Sequence, residues 1–353
     1  MINNLPNGWE IEKLGNISDI KAGGTPSRSK NEYWTGNIPW LKISDLKTKY
    51  IYQSTEFITE EGLNNSSTKL FEKDTILYTI FATLGEVSIL KSEATTNQAI
   101  AGIKLNKSNI DLEFIYYFLL SIKEKILNVG RGVAQNNINL SILRDLNIPI
   151  PPLQQQEKIV KVLDLTSNLI EKQKELLGKY DLFLKSKFIE MFGTIKDNPN
   201  NFNIEPIKNF GRIITGNTPS RQEEEFYNDN FIEWIKTDNI HTNQQYVSTA
   251  SEYLSEIGMK KGRILEKGGL LITCIAGSLK SIGNVAMTDR KITFNQQINA
   301  IQPFENVDSL FLFWQLKINK NYVQTFSTSS MKKIITKGEF QEIEFLKPPF
   351  ELQ

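Results

Sequence analysis

Apolar residues recur at helical spacing between residues 153 and 191. One row follows alternating steps of four and three residues: Ile159, Leu163, Thr166, Ile170, Gln173, Leu177, Tyr180, Leu184, Lys187 and Met191. A second row lies beside it: Val162, Leu165, Leu169, Leu176 and Phe183. This spacing keeps side chains on one face of an α-helix, and the stretch contains no proline. The pattern predicts a helix of about 39 residues, about 58 Å long.

A proline pair and a wide apolar face indicate how this helix begins and what it contacts. Pro151 and Pro152 precede it, a position that suits the entry to a helix. The two apolar rows are wider than contact with one partner helix requires, which favours an extended coiled-coil spacer. A linker helix folded onto one of the flanking domains is the alternative.

Shorter patterns on both sides of the helix predict a mixture of strands and helices. TILYTIF (75–81) and GLLITCIA (269–276) are largely apolar runs bounded by turn residues, which predicts buried strands. Residues 111–127 have helical spacing, with Asp111 as the N-cap and an expected end near Gly130.

Both flanking regions carry the same sequence blocks in the same order. KAGGTPSR at 21–28 matches ITGNTPSR at 214–221, 193 positions later. Further blocks match at offsets of 193 to 198: 9–28 with 202–221, 38–46 with 232–240, 70–82 with 264–276, 97–103 with 295–301, 112–117 with 310–315, and 146–153 with 343–350. The chain is therefore predicted to be a tandem duplication. We expect an α+β fold of two homologous mixed α/β domains, joined by a long coiled-coil helix in a pseudo-two-fold arrangement.

The repeats set the expected domain boundaries. We expect a first domain over 1–150, the central helix over 151–193 and a second domain over 194–346. KPPFELQ at 347–353 is similar to the start of the central helix, so a second such helix is expected to begin there. We expect this second helix to be truncated, its missing part being an antiparallel partner for the central helix.

Composition excludes several classes of site. Hydrophobic residues make up 40% and charged residues 23% of the 353, which is typical of a globular protein. One cysteine and one histidine exclude an internal disulfide, a Cys/His zinc site and catalysis by several histidines. Cys274 lies in an apolar run and is expected to be buried. We expect a cytoplasmic protein, because the sequence has no apolar run of about 18 residues and no signal peptide.

Charge is balanced along the chain. Residues 1–152 carry 16 basic and 16 acidic side chains, and residues 194–353 carry 18 of each. Neither half is basic in the manner typical of a nucleic-acid-binding domain. The net charge of +1 counts against DNA binding by composition alone, although basic residues can still be concentrated on one face.

The arrangement and its motifs resemble one known family. Two domains separated by a long helix carry the paired loops GGTPSR (23–28) and GNTPSR (216–221). The junction NIPIPPLQQQEKIVKVLD (147–164) leads into the helix. Over essentially its whole length, the chain resembles the specificity (S, or HsdS) subunits of type I restriction-modification systems.

This resemblance implies a division of labour among subunits. Each repeat would be a target-recognition domain for one half of a bipartite double-stranded DNA site, and the helix would set the gap between the halves. Modification (methyltransferase) subunits, expected to be two, would dock on the helices, and restriction subunits would join for cleavage. The chain itself would be non-catalytic and without cofactor or metal. S-adenosylmethionine, ATP and Mg²⁺ would belong to the partner subunits.

The sequence agrees with a non-catalytic role, because it lacks one motif typical of nucleotide-binding motors and one typical of methyltransferases. It has no Walker loop GxxxxGK[ST]. It also has no methyltransferase NPPY motif, the nearest segment being NPNN at 198–201.

Two kinds of loop residue are expected to contact DNA. Polar residues shared by the two copies are expected to position each domain on phosphates: Thr25, Ser27, Arg28, Lys42, Thr218, Ser220, Arg221 and Lys236. Polar residues of divergent loops are expected to contact base edges: Thr83, Arg131, Gln135, Asn136, Asn137, Lys280, Ser329, Lys332 and Lys333. The alternatives are a turn held by local hydrogen bonds, with a solvated arginine, and ordinary surface loops.

Other shared residues are assigned to the scaffold. Trp40 and Trp234 follow short apolar stretches and are expected in the core, not as platforms for base stacking. The pairs 97–98 and 295–296, Asn-Gln in both copies, are expected to form hydrogen bonds between side chain and backbone. Two other functions stay open: the targeting portion of a fused methyltransferase or nuclease, and a protein-binding scaffold without DNA contact.

Overall fold

The structure is a computed structural model that describes residues 5–130, 138–330 and 332–353. The chain divides into two compact units, Met1–Lys174 and Glu175–Gln353. The predicted α+β fold, with two homologous domains joined by a long helix, is confirmed. No helix in these described ranges is both long and apolar enough to span a membrane.

The first unit begins with ten strands and two short helices, and its longer helices follow from residue 112 onward. Its strands are β1 (Glu10–Lys13), β2 (Ser18–Ala22), β3 (Ile38–Leu41), β4 (Tyr50–Ile51), β5 (Glu56–Ile58), β6 (Leu70–Phe71), β7 (Ile76–Thr79), β8 (Val87–Leu90), β9 (Ala94–Thr96), β10 (Ile100–Leu105) and β11 (Asn147–Ile150). Its helices are α1 (Leu14–Ile17), α2 (Glu60–Asn64), α3 (Leu112–Ser121), α4 (Lys123–Gly130), α5 (Leu140–Arg144) and α6 (Leu153–Phe192), which continues into the second unit.

The second unit repeats this order of elements. Its strands are β12 (Asn203–Pro206), β13 (Gly211–Thr215), β14 (Ile232–Ile235), β15 (Tyr253–Leu254), β16 (Ile264–Leu265), β17 (Leu270–Thr273), β18 (Ile275–Ala276), β19 (Val285–Met287), β20 (Ile292–Phe294), β21 (Ile298–Pro303), β22 (Lys333–Ile334) and β23 (Glu344–Lys347). Its helices are α7 (Glu256–Lys261), α8 (Ser309–Ile318), α9 (Lys320–Thr325) and α10 (Lys337–Gln341). Short 3₁₀ helices occur in both units, at Asn31–Trp34, Ile43–Asp45, Ile207–Asn209, Glu224–Phe226, Thr237–Asn239, Leu279–Ser281 and Phe350–Leu352.

The sheets of the two units share most of their strand order. In the first unit the orders are β2-β10-β7-β8-β4 and β5-β3-β9-β6, and β1 pairs with β11. In the second unit they are β13-β21-β17-β19 and β15-β14-β20-β16, with β12 paired to β23 and β18 to β22. Trp40 of β3 lies opposite Thr95 of the parallel strand β9, and Trp234 of β14 lies opposite Thr293 of β20. The sequence repeat is therefore also a repeat of strand topology and register.

The predicted buried strands lie in the cores. Every residue of β7 and β17 is buried, which explains why both runs are continuously apolar and not alternating. Cys274 directly follows β17 and is 1% exposed, as predicted, and its burial raises the pKa of the thiol to about 12. Trp40 and Trp234 are each 3% exposed, so their predicted place in the core is also confirmed.

The helix expected over 111–127 begins as predicted but is interrupted. Asp111 accepts a hydrogen bond from the backbone N–H of Phe114 (2.8 Å), which confirms it as the N-cap of α3. Helix α3 ends at Ser121, and α4 begins at Lys123 after a turn at Ile122. Ile122 and Ile126 are both buried in the same core, so the apolar face of the predicted helix continues across the turn.

The segments that follow Pro151–Pro152 and Pro348–Pro349 each contain a glutamine whose side chain holds the segment by hydrogen bonds. The Gln156 side chain accepts from the Asp111 backbone N–H (2.8 Å) and donates to the Pro151 carbonyl (2.8 Å). The Gln353 side chain accepts from the backbone N–H of Asp308 (2.9 Å) and donates to the carbonyl of Pro348 (2.9 Å). The second junction thus repeats the contacts of the first, in agreement with the sequence match at 347–353.

Helix α6 has the expected span and is attached to protein at each end. It has 40 residues, one more at its C-terminal end than predicted. In its first turns Gln156 and Val160 are buried, and in its last turns Phe188 and Phe192 are buried. Its middle part carries large apolar side chains that are exposed, namely Val162, Leu165, Leu169, Ile170, Leu176, Leu177, Tyr180, Leu182, Phe183 and Leu184. The alternative of a helix folded along its length onto a flanking domain is therefore not what the structure has.

The two ends of α6 are held by different chemistry. In the first unit, Lys49 forms ion pairs with Glu113 (2.9 Å) and with Asp164 of α6, and the Tyr117 hydroxyl donates to Asp164 (2.5 Å). In the second unit, Phe188 packs against Phe192 and Phe311 with ring centroids 4.7 and 5.6 Å away. The first attachment therefore adds ion pairs to the buried Val160, and the second is aromatic.

Candidate nucleic-acid interface

The shared TPSR loops rest on a neighbouring turn through backbone contacts. The Gly23 N–H donates to the Ile100 carbonyl (3.0 Å), and the Gly216 N–H donates to the Ile298 carbonyl (3.0 Å). The Trp40 indole N–H donates to the Gly24 carbonyl (3.0 Å), as the Trp234 indole does to the equivalent Asn217 (3.2 Å). Each loop is thus held between a strand end and a buried tryptophan.

In the first unit, two of the predicted cations meet at one carboxylate. Glu56 forms ion pairs with Lys42 (2.5 Å) and Arg28 (2.7 Å). The guanidinium carbon of Arg28 also lies 3.5 Å from the ring centroid of Trp34 and 4.7 Å from that of Trp40. These distances are within the range of cation–π attraction. We call these five residues the Arg28 cluster.

The second unit contains the same arrangement. Glu252 forms ion pairs with Arg221 (2.5 Å) and with Lys236. The guanidinium carbon of Arg221 lies 4.6 Å from the ring centroid of Tyr227 and 4.8 Å from that of Trp234. We call these five residues the Arg221 cluster. Both clusters join a loop arginine, a lysine after a buried strand, a carboxylate and two aromatic rings.

The charges of the clusters follow from these contacts. The hydrogen bond from Lys42 is the main cause that lowers the pKa of the Glu56 carboxyl below its ordinary value. The hydrogen bond from Lys236 lowers the pKa of Glu252 in the same way. Both carboxyls are therefore ionised at neutral pH, and two cations to one carboxylate give each cluster a net positive charge. Arg28 and Arg221 are both 53% exposed, so this charge reaches the solvent.

The shared threonines contact the shared glutamines. The Thr25 hydroxyl donates to the Gln98 side chain (2.5 Å), and the Thr218 hydroxyl donates to that of Gln296. Beside each glutamine the asparagine side chain accepts a backbone N–H, from Ala99 in one unit and Gln297 in the other, at 3.1 Å in both. The expected hydrogen bonds of these Asn-Gln pairs to backbone are confirmed at the asparagines.

The serines of the two loops make local contacts. The hydroxyl of Ser27 lies 2.8 Å from that of Ser29, and the Ser27 carbonyl accepts from the Trp34 indole (3.1 Å). The hydroxyl of Ser220 accepts from the backbone N–H of Gln222 (3.4 Å). Both serines are exposed. The loops therefore combine local turn contacts with exposed hydroxyl groups.

The structure brings together the divergent loops of the second unit. Strand β18, at the start of the loop that carries Lys280, pairs with β22, which contains Lys333. Lys280, Ser329 and Lys332 are exposed, whereas Lys333 is half-buried and its ammonium donates to the Ser329 carbonyl (3.1 Å). The predicted base-contacting residues of this unit thus belong to two adjoining loops.

In the first unit only part of the corresponding prediction can be placed. Thr83 is exposed in the turn after β7, and its carbonyl accepts from the Thr79 hydroxyl. Four predicted residues lie outside the described residues: Arg131, Gln135, Asn136 and Asn137. The described part of the chain resumes at Ile138, whose N–H donates to the carbonyl of Ile80 (3.1 Å).

Short hydrogen-bonded paths connect the shared loops to the divergent ones. In the first unit, the residue after Gln98, Ala99, accepts from the Ile80 N–H (2.8 Å), and Ile80 in turn accepts from Ile138. In the second unit, the residue after Gln296, Gln297, accepts from the Cys274 N–H (2.9 Å), and Cys274 accepts from Ile335 (2.8 Å). Backbone hydrogen bonds therefore connect the Asn-Gln turn to Ile138 in the first unit and to Ile335, beside β22, in the second.

The sequence analysis did not identify the two carboxylates. Glu56 and Glu252 lie in TEFITEEG (55–62) and SEYLSEIG (251–258), which match at an offset of 196. A self-comparison that included this block would have identified both residues. It would not have paired them with the arginines, which lie 28 and 31 positions earlier in the chain. Within the described residues, no group of three or more His, Cys, Asp or Glu could hold a metal ion.

Known proteins resemble the chain across both units. The family described as "Type I restriction modification DNA specificity domain" matches residues 6–177 and 199–353. The MjaIX specificity subunit of a type I restriction enzyme from Methanocaldococcus jannaschii is 30% identical over 73% of this chain and 64% of its own length. The EcoR124I/EcoR124II specificity subunit from Escherichia coli is 31% identical over 46% of this chain and 43% of its own length. The chain thus spans less than two thirds of the length of these curated relatives.

Solved structures agree on the fold. The S subunit of a type I restriction-modification system from M. genitalium superposes with a TM-score of 0.56 at 17% identity, covering 100% of this chain and 88% of that one. A chain from a study of complex assembly in a type I R-M system has a TM-score of 0.57 at 17% identity, covering 99% and 88%. The family match covers both repeats and most of the chain. The chain therefore belongs to the family of type I restriction-modification DNA specificity proteins.

Proposed function

We propose that this chain is the DNA-recognition subunit of a type I restriction-modification complex. Each unit recognises one half of a bipartite site in double-stranded DNA. Helix α6 fixes the gap between the halves and docks modification subunits, two in the assembled complex, with restriction subunits joining for cleavage. The chain itself catalyses no step, and S-adenosylmethionine, ATP and Mg²⁺ are bound by the partner subunits.

The observation that carries the proposal is the duplicated cationic cluster. Arg28 and Arg221 lie at equivalent positions, and each is supported by a carboxylate and aromatic rings. Exposed arginines of this kind suit phosphate oxygens, which they bind through several N–H donors at once. Each cluster is connected by backbone hydrogen bonds to loops that differ between the units. A common phosphate contact beside a variable loop is what two half-sites of different sequence require.

The nearly neutral composition of the chain does not oppose DNA binding if basic residues are concentrated locally. The chain has a net charge of only +1, but each cluster has two cations for one carboxylate. Phosphate binding depends on the charge at the contact surface and not on the total. Affinity for DNA should therefore fall with salt even though the protein is nearly neutral.

The exposed apolar surface of α6 supports its proposed docking role. Val162, Leu165, Leu169 and Phe183 are each more than half exposed, and they follow the second apolar row along a continuous helix of 40 residues. Apolar side chains in such a row are typical of helices that pack against partner helices. A helix of this length spans about 60 Å, which suits a spacer between two DNA-contacting units.

Methylome sequencing tests the proposal most directly. Cells carrying this chain with its cognate modification subunit are compared with cells that lack this chain. We expect methyladenine in a two-part motif with a fixed gap, on opposite strands of the two halves. A continuous short motif would favour the targeting portion of a fused enzyme.

DNA binding by the assembled complex distinguishes the proposed function from the remaining alternative, a protein-binding scaffold. If no new methylation is found, affinity for random-sequence duplex DNA is measured at several salt concentrations. A slope of log K against log salt near zero would contradict the proposal and favour a protein-binding scaffold without DNA contact.

A further inference from the structure

The two carboxylates occupy an unusual place for a surface that attracts phosphate. Glu56 is 25% exposed and Glu252 is 33% exposed, so each lies deeper than its arginine at 53%. A carboxylate opposes the approach of DNA, because it repels phosphate. Both units nevertheless place one between an arginine and a lysine. Its presence in both copies calls for a role other than attraction.

We propose that Glu56 and Glu252 are positioning residues for DNA recognition, each holding the arginine and lysine of its own unit in the geometry that aligns that unit's divergent loops on the half-site. This inference rests on the proposed function. The carboxylates do not contact bases in this scheme. They act through Arg28 and Lys42 in the first unit and through Arg221 and Lys236 in the second.

Side-chain mobility is the first reason for this role. Free arginine and lysine side chains have high rotamer entropy, and both can bind phosphate in many orientations. Glu56 holds the ends of the Arg28 and Lys42 side chains. Trp34 and Trp40 restrict the guanidinium of Arg28. An arginine has five N–H donors and a lysine three, so one contact to Glu56 leaves donors on each for a phosphate.

The path to the divergent loops is the second reason. In the second unit, the Arg221 cluster adjoins Thr218, which contacts Gln296, and the next residue accepts the Cys274 N–H. Cys274 then accepts from Ile335, beside the strand β22. A phosphate held in a fixed place by Arg221 and Lys236 therefore fixes where the loops of the same unit meet the bases.

A glutamine substitution removes this function with little change of shape. Glu56→Gln keeps one carbonyl oxygen, which can accept from Arg28 or from Lys42. The new amide nitrogen is a donor and faces the other cation, so one of the two contacts is lost. The substitution also removes a negative charge, so general affinity for DNA should be retained or increased. What should fall is the discrimination between correct and incorrect bases.

The experiment measures discrimination separately in each half of the motif. Methylomes are recorded for cells that carry the modification subunit with the wild-type chain, with Glu56→Gln or with Glu252→Gln. Discrimination is the methylated fraction at matching sites divided by the fraction at sites with one mismatch in a given half. We expect each variant to lower this ratio about fivefold in one half and to leave the other half unchanged. The two variants must affect opposite halves.

Glu72→Gln is the matched control. Glu72 is an exposed carboxylate of the same unit as Glu56, paired with Lys104 at 3.2 Å, and it lies outside the Arg28 cluster. This variant should keep discrimination in both halves. The melting temperature of each purified variant is measured in parallel, because simple destabilisation of a unit would reduce methylation at all sites.

Each outcome has a defined meaning. Selective loss in opposite halves supports the inference. Unchanged discrimination, or equal loss in both halves with a lower melting temperature, overturns it while leaving the two-part motif of the wild-type chain as support for the proposed function. If the wild-type chain produces no two-part motif, the proposed function fails, and this inference fails with it.

Discussion

At the scale of single residues, aromatic rings and a carboxylate determine where each loop arginine points. Arg28 lies over Trp34 at 3.5 Å from the ring centroid and reaches Glu56 at 2.7 Å. A lysine at this position could pair with the carboxylate but could not stack its planar group on the rings. The position therefore requires arginine for its shape as well as for its charge.

Removal of this arginine should weaken DNA binding and reduce its dependence on salt. Arg28→Ala deletes a phosphate contact in the proposed interface, so the slope of log K against log salt should decrease in magnitude by about 1. Binding of the assembled complex to cognate and random duplexes is measured between low and high salt. Lys13→Ala is the control, because Lys13 is an exposed cation paired with Asp145 outside the cluster. An equal slope for wild type and Arg28→Ala would contradict the phosphate contact.

Close packing explains why both TPSR loops have a glycine at equivalent positions, Gly23 and Gly216. A Cβ built on Gly216 would lie 2.0 Å from the Asn295 carbonyl oxygen, and one on Gly23 would lie 2.5 Å from that of Asn97. Both distances are far below van der Waals contact. The loop backbone rests directly on the turn that carries the Asn-Gln pair, so no side chain fits between them.

Gly216→Ala should therefore destabilise the second unit by about 1–3 kcal/mol, because the loop must move away from the turn. Gly277→Ala is the matched control, since a Cβ there meets no atom within 4 Å. Its effect should stay within about 0.5 kcal/mol. Denaturant unfolding gives the free energies, and hydrogen exchange assigns the change to a unit. Similar stability of the two variants would contradict the close approach.

At the scale of elements, helix α6 is attached by ion pairs in the first unit. The Lys49 side chain is 18% exposed and is the cation between Glu113 and Asp164. Burial disfavours its charge, but hydrogen bonds to Asp164 and Glu113 outweigh this and raise the pKa of Lys49. For Asp164, the bond from Lys49 likewise overcomes burial and lowers the pKa of the carboxyl below its ordinary value. The stabilisation is therefore present above the ordinary carboxyl pKa and is lost as the pH falls through the lowered one.

Lys49→Ala should loosen the first turns of α6, because it leaves two carboxylates near each other without their cation. We expect backbone amides around residues 160–170 to exchange about tenfold faster, measured by hydrogen exchange with mass spectrometry. Lys161→Ala serves as the control, since Lys161 is an exposed lysine on the same helix. Exchange near Phe188 and Phe192 should not change, because that end is held by aromatic packing against Phe311. Equal exchange in both lysine variants would show that the ion pairs do not hold the helix.

At the scale of the whole molecule, each repeat is a complete unit with its own sheets, core and cluster. The hydrophobic cores of the first unit involve residues of that unit, and the same holds for the second. This separation favours modular recognition, in which one repeat can change its target without disturbing the other.

Exchange of residues 9–150 for a homologous repeat should change one half of the recognised motif. The other half and the methylation chemistry should stay the same, because the second unit and the partner subunits are untouched. Methylome sequencing of the chimera gives the result. A change in both halves would contradict modular recognition.

Several features were determined by the sequence itself. Duplication, the span of α6, the buried strands and the Asp111 cap all follow from local periodicity, capping or repeated blocks, which are properties of neighbouring residues. The TPSR loops, Lys42 and Lys236 were also recognisable, because they recur in both copies. Local pattern did not predict the turn at Ile122, which separates α3 from α4.

Tertiary structure alone decided how these residues are combined. Glu56 meets Arg28 and Lys42 because β5 pairs with β3, so that Glu56 lies opposite Trp40 in the sheet. The equivalent pairing of β15 with β14 places Glu252 near Arg221 and Lys236. The attachments of α6 at its two ends likewise depend on side chains from separate elements. Ion pairs and cation–π contacts depend on distances in space, and those distances arise only when separate strands and loops have packed together.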